Sequence, residues 1–333
     1  MKCCVYTRTF YESPYINFFI EHYLKLGFDK IFILKTDNLD IKINNKFLDF
    51  IEIKSVENQD DETLYANIDI IKKSDYDWFF NVDNDEFLFL ESQYSNIKEY
   101  IKNILDKSPN VNLIYFRWVM VEKFNNKNIS FYDLIKNHKL AKNCYIKSLI
   151  KTSAKIKFLK SHWGIFEDDS YEICFENLTN IVNKASHNLN HNSYNDSILL
   201  HIHTRSFNNL ITKSLITKFK IKIINNKNRF KNFIDNKEFE KFNDNDLIDE
   251  MKKIIGAKFC LPFNHIKKGD KFDNALFFKK FRLFDYESKF LDEDQEKENL
   301  ELVLKENNIN IENYYSLSER VIKIVEDKKY LLL

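Results

Sequence analysis

A chain of 333 residues with 44% hydrophobic and 30% charged residues has the make-up of a soluble globular protein, long enough for one large α/β domain or an ordinary domain with a smaller companion. Lys and Arg total 51 against 50 Asp and Glu, so the global basic field that non-specific nucleic-acid binding needs is missing, and a duplex-binding role is disfavoured. The opening MKCCVYTRTFYESP is too short in apolar residues for a signal peptide, and nothing later reaches the roughly 18 to 20 apolar residues of a membrane span, so a cytoplasmic protein is expected.

The first elements read as alternating strands and helices. Residues 2–7 (KCCVYT) form a short apolar strand, after which Ser13 offers an N-cap and Pro14 the first helical position. Ile16, Phe19, Ile20, Tyr23 and Leu24 then repeat at helical spacing, and Gly27 can end that helix in a left-handed conformation. Strands are expected over Ile31–Leu34 and Phe50–Val56, a helix over about Glu62–Lys73, and a strand over Asp77–Val82. This order predicts a Rossmann-like, mainly parallel sheet flanked by helices, with ligands at the carboxyl ends of its strands, where Asp37 and Asp83 fall.

Glycine is informative by its scarcity. With four in the chain, Gly27, Gly164, Gly256 and Gly269, neither a GxGxxG nor a GxxxxGK[ST] phosphate loop can be written, so a bound phosphate needs another partner. The five cysteines, Cys3, Cys4, Cys144, Cys174 and Cys260, contain no CxxC pair and read as reduced structural thiols.

The stretch WFFNVDNDEFLFL, Trp78–Leu90, supplies a candidate partner. Asp83 and Asp85 leave an apolar strand with only Asn84 between them, and Asn84 can turn the chain so that both carboxylates approach one hard cation such as Mg²⁺ or Mn²⁺. A DxD pair alone is equally compatible with a solvated loop or a helix cap; the flanking WFF and FLFL place this one at a strand end inside a core, which favours a metal site.

WFFNVDNDEFLFL resembles the W-x-x-x-x-D-x-D-E-F signature of the family 2-like and family 92-like glycosyltransferases. YESPYINFFIEHYLKLGFDKIFIL resembles their opening segment, and HIHTRSFNNLITKSL their later H-Y-x-x-[KR]-S block, with His201, Arg205, Ser206 and Lys213 matching. The resemblance spans about Lys2 to Lys213, with departures: Ile202 stands where Tyr is usual, TRTFYE replaces a K-N-E-like sequence, and TDNLD is a loose version of D-N-x-S. It implies a GT-A-type fold, a DxD-bound Mn²⁺ or Mg²⁺, and transfer of a sugar from a UDP- or GDP-sugar to a hydroxyl of a carbohydrate, lipid-linked or protein-linked acceptor.

Roles follow from that resemblance position by position. Asp83 and Asp85 would hold the metal with His201 completing the shell, His203 being the alternative two residues on. Thr7, Arg8, Asp37 and Asn84 would line the donor, with Lys147 and Arg205 on diphosphate oxygens. Inverting transfer needs a base, and Glu167-Asp168 in SHWGIFEDDSYE fits the interval where the family often carries one, with Trp163 as a sugar platform; a plain acidic loop is the competing reading, and Glu122 another base candidate.

Residues 1–216 are therefore expected to form the catalytic domain and 217–333 a mostly helical C-terminal region. The basic, aromatic KFKIKIINNKNRFKNF that opens the latter suits packing against the catalytic domain or a second subunit of a homo-oligomer, or peripheral contact with a membrane surface carrying a lipid-linked acceptor. The rival function is a metal-dependent phosphoester hydrolase using the same acids, or an inactive relative kept for carbohydrate binding.

Overall fold

The computed structural model describes residues 1–36, 40–57, 60–121, 130–162, 164–167, 172–175, 196–202, 206–215, 227–255 and 271–327. In chain order its elements begin with strand β1 (Cys3–Thr9), helix α1 (Ser13–Lys25), β2 (Lys30–Lys35), β3 (Ile51–Ser55), α2 (Asp61–Ala66), α3 (Asp69–Lys72), β4 (Trp78–Asn81) and β5 (Glu86–Leu90). They continue with α4 (Ile97–Lys107), β6 (Val111–Val121), α5 (Phe131–Asn137), β7 (Leu140–Lys151), β8 (Ile156–Leu159), β9 (Gly164–Phe166), β10 (Glu172–Phe175) and β11 (Ser197–His201). Last come α6 (Phe207–Leu215), α7 (Lys227–Asp235), α8 (Asp244–Ile255), β12 (Lys271–Phe272), α9 (Asn274–Lys280), α10 (Glu293–Glu306) and α11 (Ile311–Asp327). The chain divides into two compact units: Met1–Met120, Leu140–His201 and Asp270–Lys289 form the first, and Val121–Lys139, Ile202–Gly269 and Phe290–Leu333 the second.

Apart from a separate two-stranded antiparallel sheet of β8 and β9, the first unit is built on one large sheet. Among the described residues its strands run in the order β3-β2-β1-β4-β7-β6-β11-β5, with β10 beside β6 and β12 beside β7. Neighbours β1–β2, β2–β3, β1–β4, β6–β11 and β6–β10 are parallel, whereas β4–β7, β5–β11 and β7–β12 are antiparallel. This mostly parallel α/β sheet flanked by helices is consistent with the expected GT-A-type arrangement. Strands β1, β4 and β5 are almost wholly buried along their length, the pattern of strands covered on both faces.

Each face of that sheet has its own core. On one, Cys4, Tyr6, Phe79, Ile146 and Ile150 meet Leu64 and Ile71 of α2 and α3 with Ile156, Leu159 and Phe166. Toward α1, Tyr23 lies edge-on to Phe80, and Phe19 to Phe87. The apolar spacing Ile16-Phe19-Ile20-Tyr23 is what gives α1 this buried stripe. Gly27 ends the helix as anticipated: its φ is +96°, the Phe28 N–H returns to the Tyr23 carbonyl, and a Cβ at Gly27 would come within 2.8 Å of the Asn96 Cβ.

Two local expectations shift. Glu12, not Ser13, holds the N-cap position of α1, with Ser13 and Pro14 already in the first turn. The helix expected over Glu62–Lys73 is divided into α2 and α3, because the Asn67 amide side chain donates back to the Thr63 carbonyl at 2.8 Å and closes the first helix there.

His22, on the buried face of α1, has a structural role with a pH signature. Its Nε2 lies 2.8 Å from the Leu88 carbonyl, which can only accept, so Nε2 carries the proton and Nδ1 accepts from the Tyr286 hydroxyl at 2.8 Å. Burial pushes its pKa down to about 3. Because the folded value is depressed, the unfolded chain takes up this proton first, so stability is full above about pH 6.5 and falls as the pH drops toward 3, by roughly 1.4 kcal/mol per unit. Urea unfolding at pH 7 and about pH 5 should therefore show an acid loss in the wild type that is smaller by about one proton's slope in His22→Gln.

The second unit is mostly helical. Phe230, Phe233, Leu247, Met251, Leu300, Val303, Tyr314, Leu317 and Val321 are buried, all on helical spacings of α7, α8, α10 and α11. The Ser206 hydroxyl donates to Glu296 at 2.5 Å, and Arg320 donates to the Phe239 and Phe242 carbonyls. Among the described residues no helix is long and apolar enough to cross a membrane.

Candidate metal and donor site

The acid-rich turn Val82–Asp85 leaves β4 and re-enters the sheet as β5, and the topology decides what surrounds it. Strand β1 is the parallel neighbour of β4, pairing Tyr6 with Asn81, so Thr7 and Arg8 extend past the strand end on one flank. Strand β7 is the antiparallel neighbour, pairing Ser148 with Asn81, so Lys147 comes level with the turn on the other. On β5, Glu86 stands directly opposite His201 of β11, a cross-strand pair whose side chains share one face.

The turn is held by reciprocal bonds. The Asp83 N–H donates to Glu86 Oε2 at 2.9 Å and the Glu86 N–H to the Asp83 carbonyl at 3.1 Å, while the Thr7 hydroxyl donates to Asn84 Oδ1 at 2.7 Å. Asp83 is gripped from both flanks: Lys147 Nζ lies 2.5 Å from Oδ2 and Arg8 Nη2 lies 3.2 Å from Oδ1. The same ammonium donates to the Ser161 carbonyl at 2.8 Å and stands 3.6 Å from Glu86 Oε2. Its side chain is 1% exposed.

Charge in this corner is consequently uneven. Burial would raise the Asp83 carboxyl, but Lys147 and Arg8 outweigh it and hold it well below the usual carboxylate range. Glu86 moves the other way: burial, with Asp83 and Asp85 adding to it against Lys147, pushes it well above the usual range. Its Oε1 is buried and has no hydrogen-bond partner among the described residues. Asp85 Oδ1 lies 3.4 Å from His201 Nε2, and one ligand atom from each of Asp85, Glu86 and His201 falls within 4.8 Å of the others, the group among the described residues able to hold a metal ion. Two carboxylates and an imidazole, with one oxygen of the Glu86 carboxylate buried and lacking a donor among the described residues, fit a divalent cation.

An aromatic wall adjoins this group. The Trp118 ring is 4.1 Å from His201, 5.4 Å from His162 and 5.3 Å from Tyr145, and Tyr145 stacks on His162 at 5.8 Å. Burial, then Lys147, lowers His162 to about 4, and its Nδ1 donates to the Ile146 carbonyl at 2.9 Å, so the ring is neutral at pH 7. The segment carrying His162 is fastened by the Ser148 hydroxyl on its carbonyl at 2.5 Å and by Asp61, which accepts from the Ser161 N–H at 2.9 Å.

The structure thus brings together Thr7, Arg8, Asp83, Asn84, Asp85, Lys147 and His201 of the residues singled out in the sequence. Glu167 is exposed at the end of β9, its N–H donating to the Lys155 carbonyl at 2.9 Å. Asp37, Glu122, Trp163, Asp168, His203 and Arg205 lie outside the described residues. Glu86, Trp118, Tyr145, His162 and Asp61 were not among the candidates. Tyr145 was within reach, since it sits two residues from Lys147 on the same face of β7. Glu86 is quoted in the acid motif, but its place opposite His201 depends on which strand pairs with β5.

No protein-family model matches the chain, and no curated protein matches it. Among solved structures it is similar to S. aureus TarS 1-349 in complex with UDP-GlcNAc, at 12% identity and a TM-score of 0.32. That match covers 56% of this chain and 60% of the TarS chain, so it spans less than two thirds of the neighbour. At this TM-score the likeness decides nothing about activity, and the class rests on the chain's own topology: an α/β protein with a mostly parallel sheet and an acidic turn at the end of β4.

Proposed function

We propose that the chain is a divalent-metal-dependent glycosyltransferase that moves a sugar from a nucleotide-sugar donor, UDP- or GDP-linked, to a hydroxyl of a carbohydrate or lipid-linked acceptor. The observation that carries this reading is the meeting of Asp85, Glu86 and His201 where the parallel strands β1 and β4 end, with a buried Glu86 oxygen that has no hydrogen-bond partner among the described residues. A nitrogen donor beside two carboxylates suits Mn²⁺ better than Mg²⁺, which favours oxygen alone. Bound there, the cation supplies Lewis-acid stabilisation to a leaving nucleoside diphosphate.

The chain's own groups do the rest. Lys147 and Arg8 keep Asp83 ionised and the turn in place, so that Asp85 and Glu86 are presented together. Tyr145 and His162 stack on each other, and with Trp118 tilted against both they offer ring faces for a base or sugar ring. In the same proposal the reaction inverts, with Asp168 or Glu167 as the base.

Thermal-shift screening of UDP, GDP and their sugars with and without Mn²⁺ tests the donor: stabilisation by a nucleoside diphosphate only with metal supports the reading. Cleavage of a phosphoester without any acceptor would instead place the protein with the hydrolases. For the base, Asp168→Asn is expected to lower transfer by about 10²-fold or more while donor binding stays near normal. Proton NMR of the product should show inversion at the anomeric centre; retention would remove the base from the account.

A further inference from the structure

The free edge of the sheet carries a second, independent message. Among the described residues β3 is the last strand on its side, with no strand on its outer edge. The Val56 N–H donates to the Lys35 carbonyl at 2.8 Å, and in a parallel ladder alternate residues bond to the same neighbour. Glu52 and Lys54 therefore direct their backbone groups toward β2, whereas Ile51, Ile53 and Ser55 direct theirs outward. This edge is also apolar where it is open: Ile53 is 40% exposed, and Leu48 and Phe50 in the preceding turn are 52% and 44% exposed.

We propose that this edge pairs antiparallel with β3 of a second copy of the chain about a two-fold axis at Ile53. The segment Ile51-Glu52-Ile53-Lys54-Ser55 reverses its charge about that residue. A two-fold there sets Ile53 against Ile53 of the second copy, with both exchanging N–H···O=C bonds, and Ile51 against Ser55 in the same manner. The exposed Glu52 then faces the second copy's Lys54, and Lys54 faces its Glu52, as closely spaced non-hydrogen-bonded pairs on one face. Phe50 meets Val56 on that face. A symmetric contact of this kind is closed, so it yields a dimer and not a filament. Charged side chains can also keep a lone edge from pairing, and the oligomeric state with the charge swap separates the two roles.

Sedimentation velocity of the full chain over a range of concentrations tests it, with circular dichroism to confirm that each variant is folded. The wild type is expected to dimerise. Glu52→Lys, which turns both cross-strand pairs into like-charge pairs, should raise the dimer dissociation constant about tenfold or more, and the swap Glu52→Lys with Lys54→Glu should restore it. A wild type that stays monomeric throughout would show that the charges guard the edge. A dimer indifferent to Glu52→Lys, or one that the swap fails to restore, would equally overturn this interface.

Discussion

Asp85→Asn is expected to weaken Mn²⁺-dependent binding of a nucleoside diphosphate by about 100-fold or more, since even outer partners of metal ligands cost about 10- to 100-fold. Asp85 is 7% exposed and sits with Glu86 and His201 in the one group of described residues able to hold a metal ion. The substitution keeps the shape of the side chain and removes a negative charge beside the buried Glu86. The metal-free protein should therefore unfold no more easily than the wild type, and sugar transfer should disappear with metal affinity. Calorimetric titration of Mn²⁺ in the presence of UDP or GDP, beside urea unfolding of the metal-free protein, separates the two effects. Wild-type metal affinity in Asp85→Asn would remove this residue from the ligand set.

Lys147→Met should act on the same turn in the opposite way, through stability. Its ammonium is the buried counter-ion of Asp83, bonded at 2.5 Å, and it is also held by the Ser161 carbonyl. Removing one partner of a buried ion pair leaves a charge without compensation, a loss of about 3 to 5 kcal/mol for a closed pair. Asp83 is 34% exposed and keeps Arg8, so about 2 kcal/mol is the expected cost here. Adding Asp83→Asn to Lys147→Met removes the stranded charge and should recover part of that loss. Urea unfolding of the single and double variants measures it as a coupling energy. A Lys147→Met protein as stable as the wild type would mean that the ammonium contributes no more than a solvated lysine.

Local sequence carried much of the sheet and little of the charge pattern. The runs CCVY, IFIL and WFF are legible as buried strands because each is apolar over its whole length, and Ile16, Phe19, Ile20 and Tyr23 mark α1 by spacing alone. The acid pair is legible because it interrupts such a run. What surrounds it is not, since Lys147 lies 64 residues beyond Asp83 and meets it only because β7 enters the sheet antiparallel beside β4. Glu86 and His201 are brought together by one register in the β5–β11 ladder. The return of 270–289 to the first unit, where Phe277 packs on Phe89 and Tyr286 on His22, has no local signal in a stretch whose composition resembles the helices around it. In each case the missing information is a long-range pairing, which hydrophobic periodicity does not encode.

Anomalous scattering from crystals of the protein grown with Mn²⁺ and UDP tests the central claim most directly. The account requires one manganese peak within coordination distance of Asp85, Glu86 and His201, with diphosphate oxygens completing its shell and Asp83 still bonded to Lys147. A peak on Asp83 instead, with Lys147 displaced, or a bound nucleotide with no metal at the turn, would contradict it.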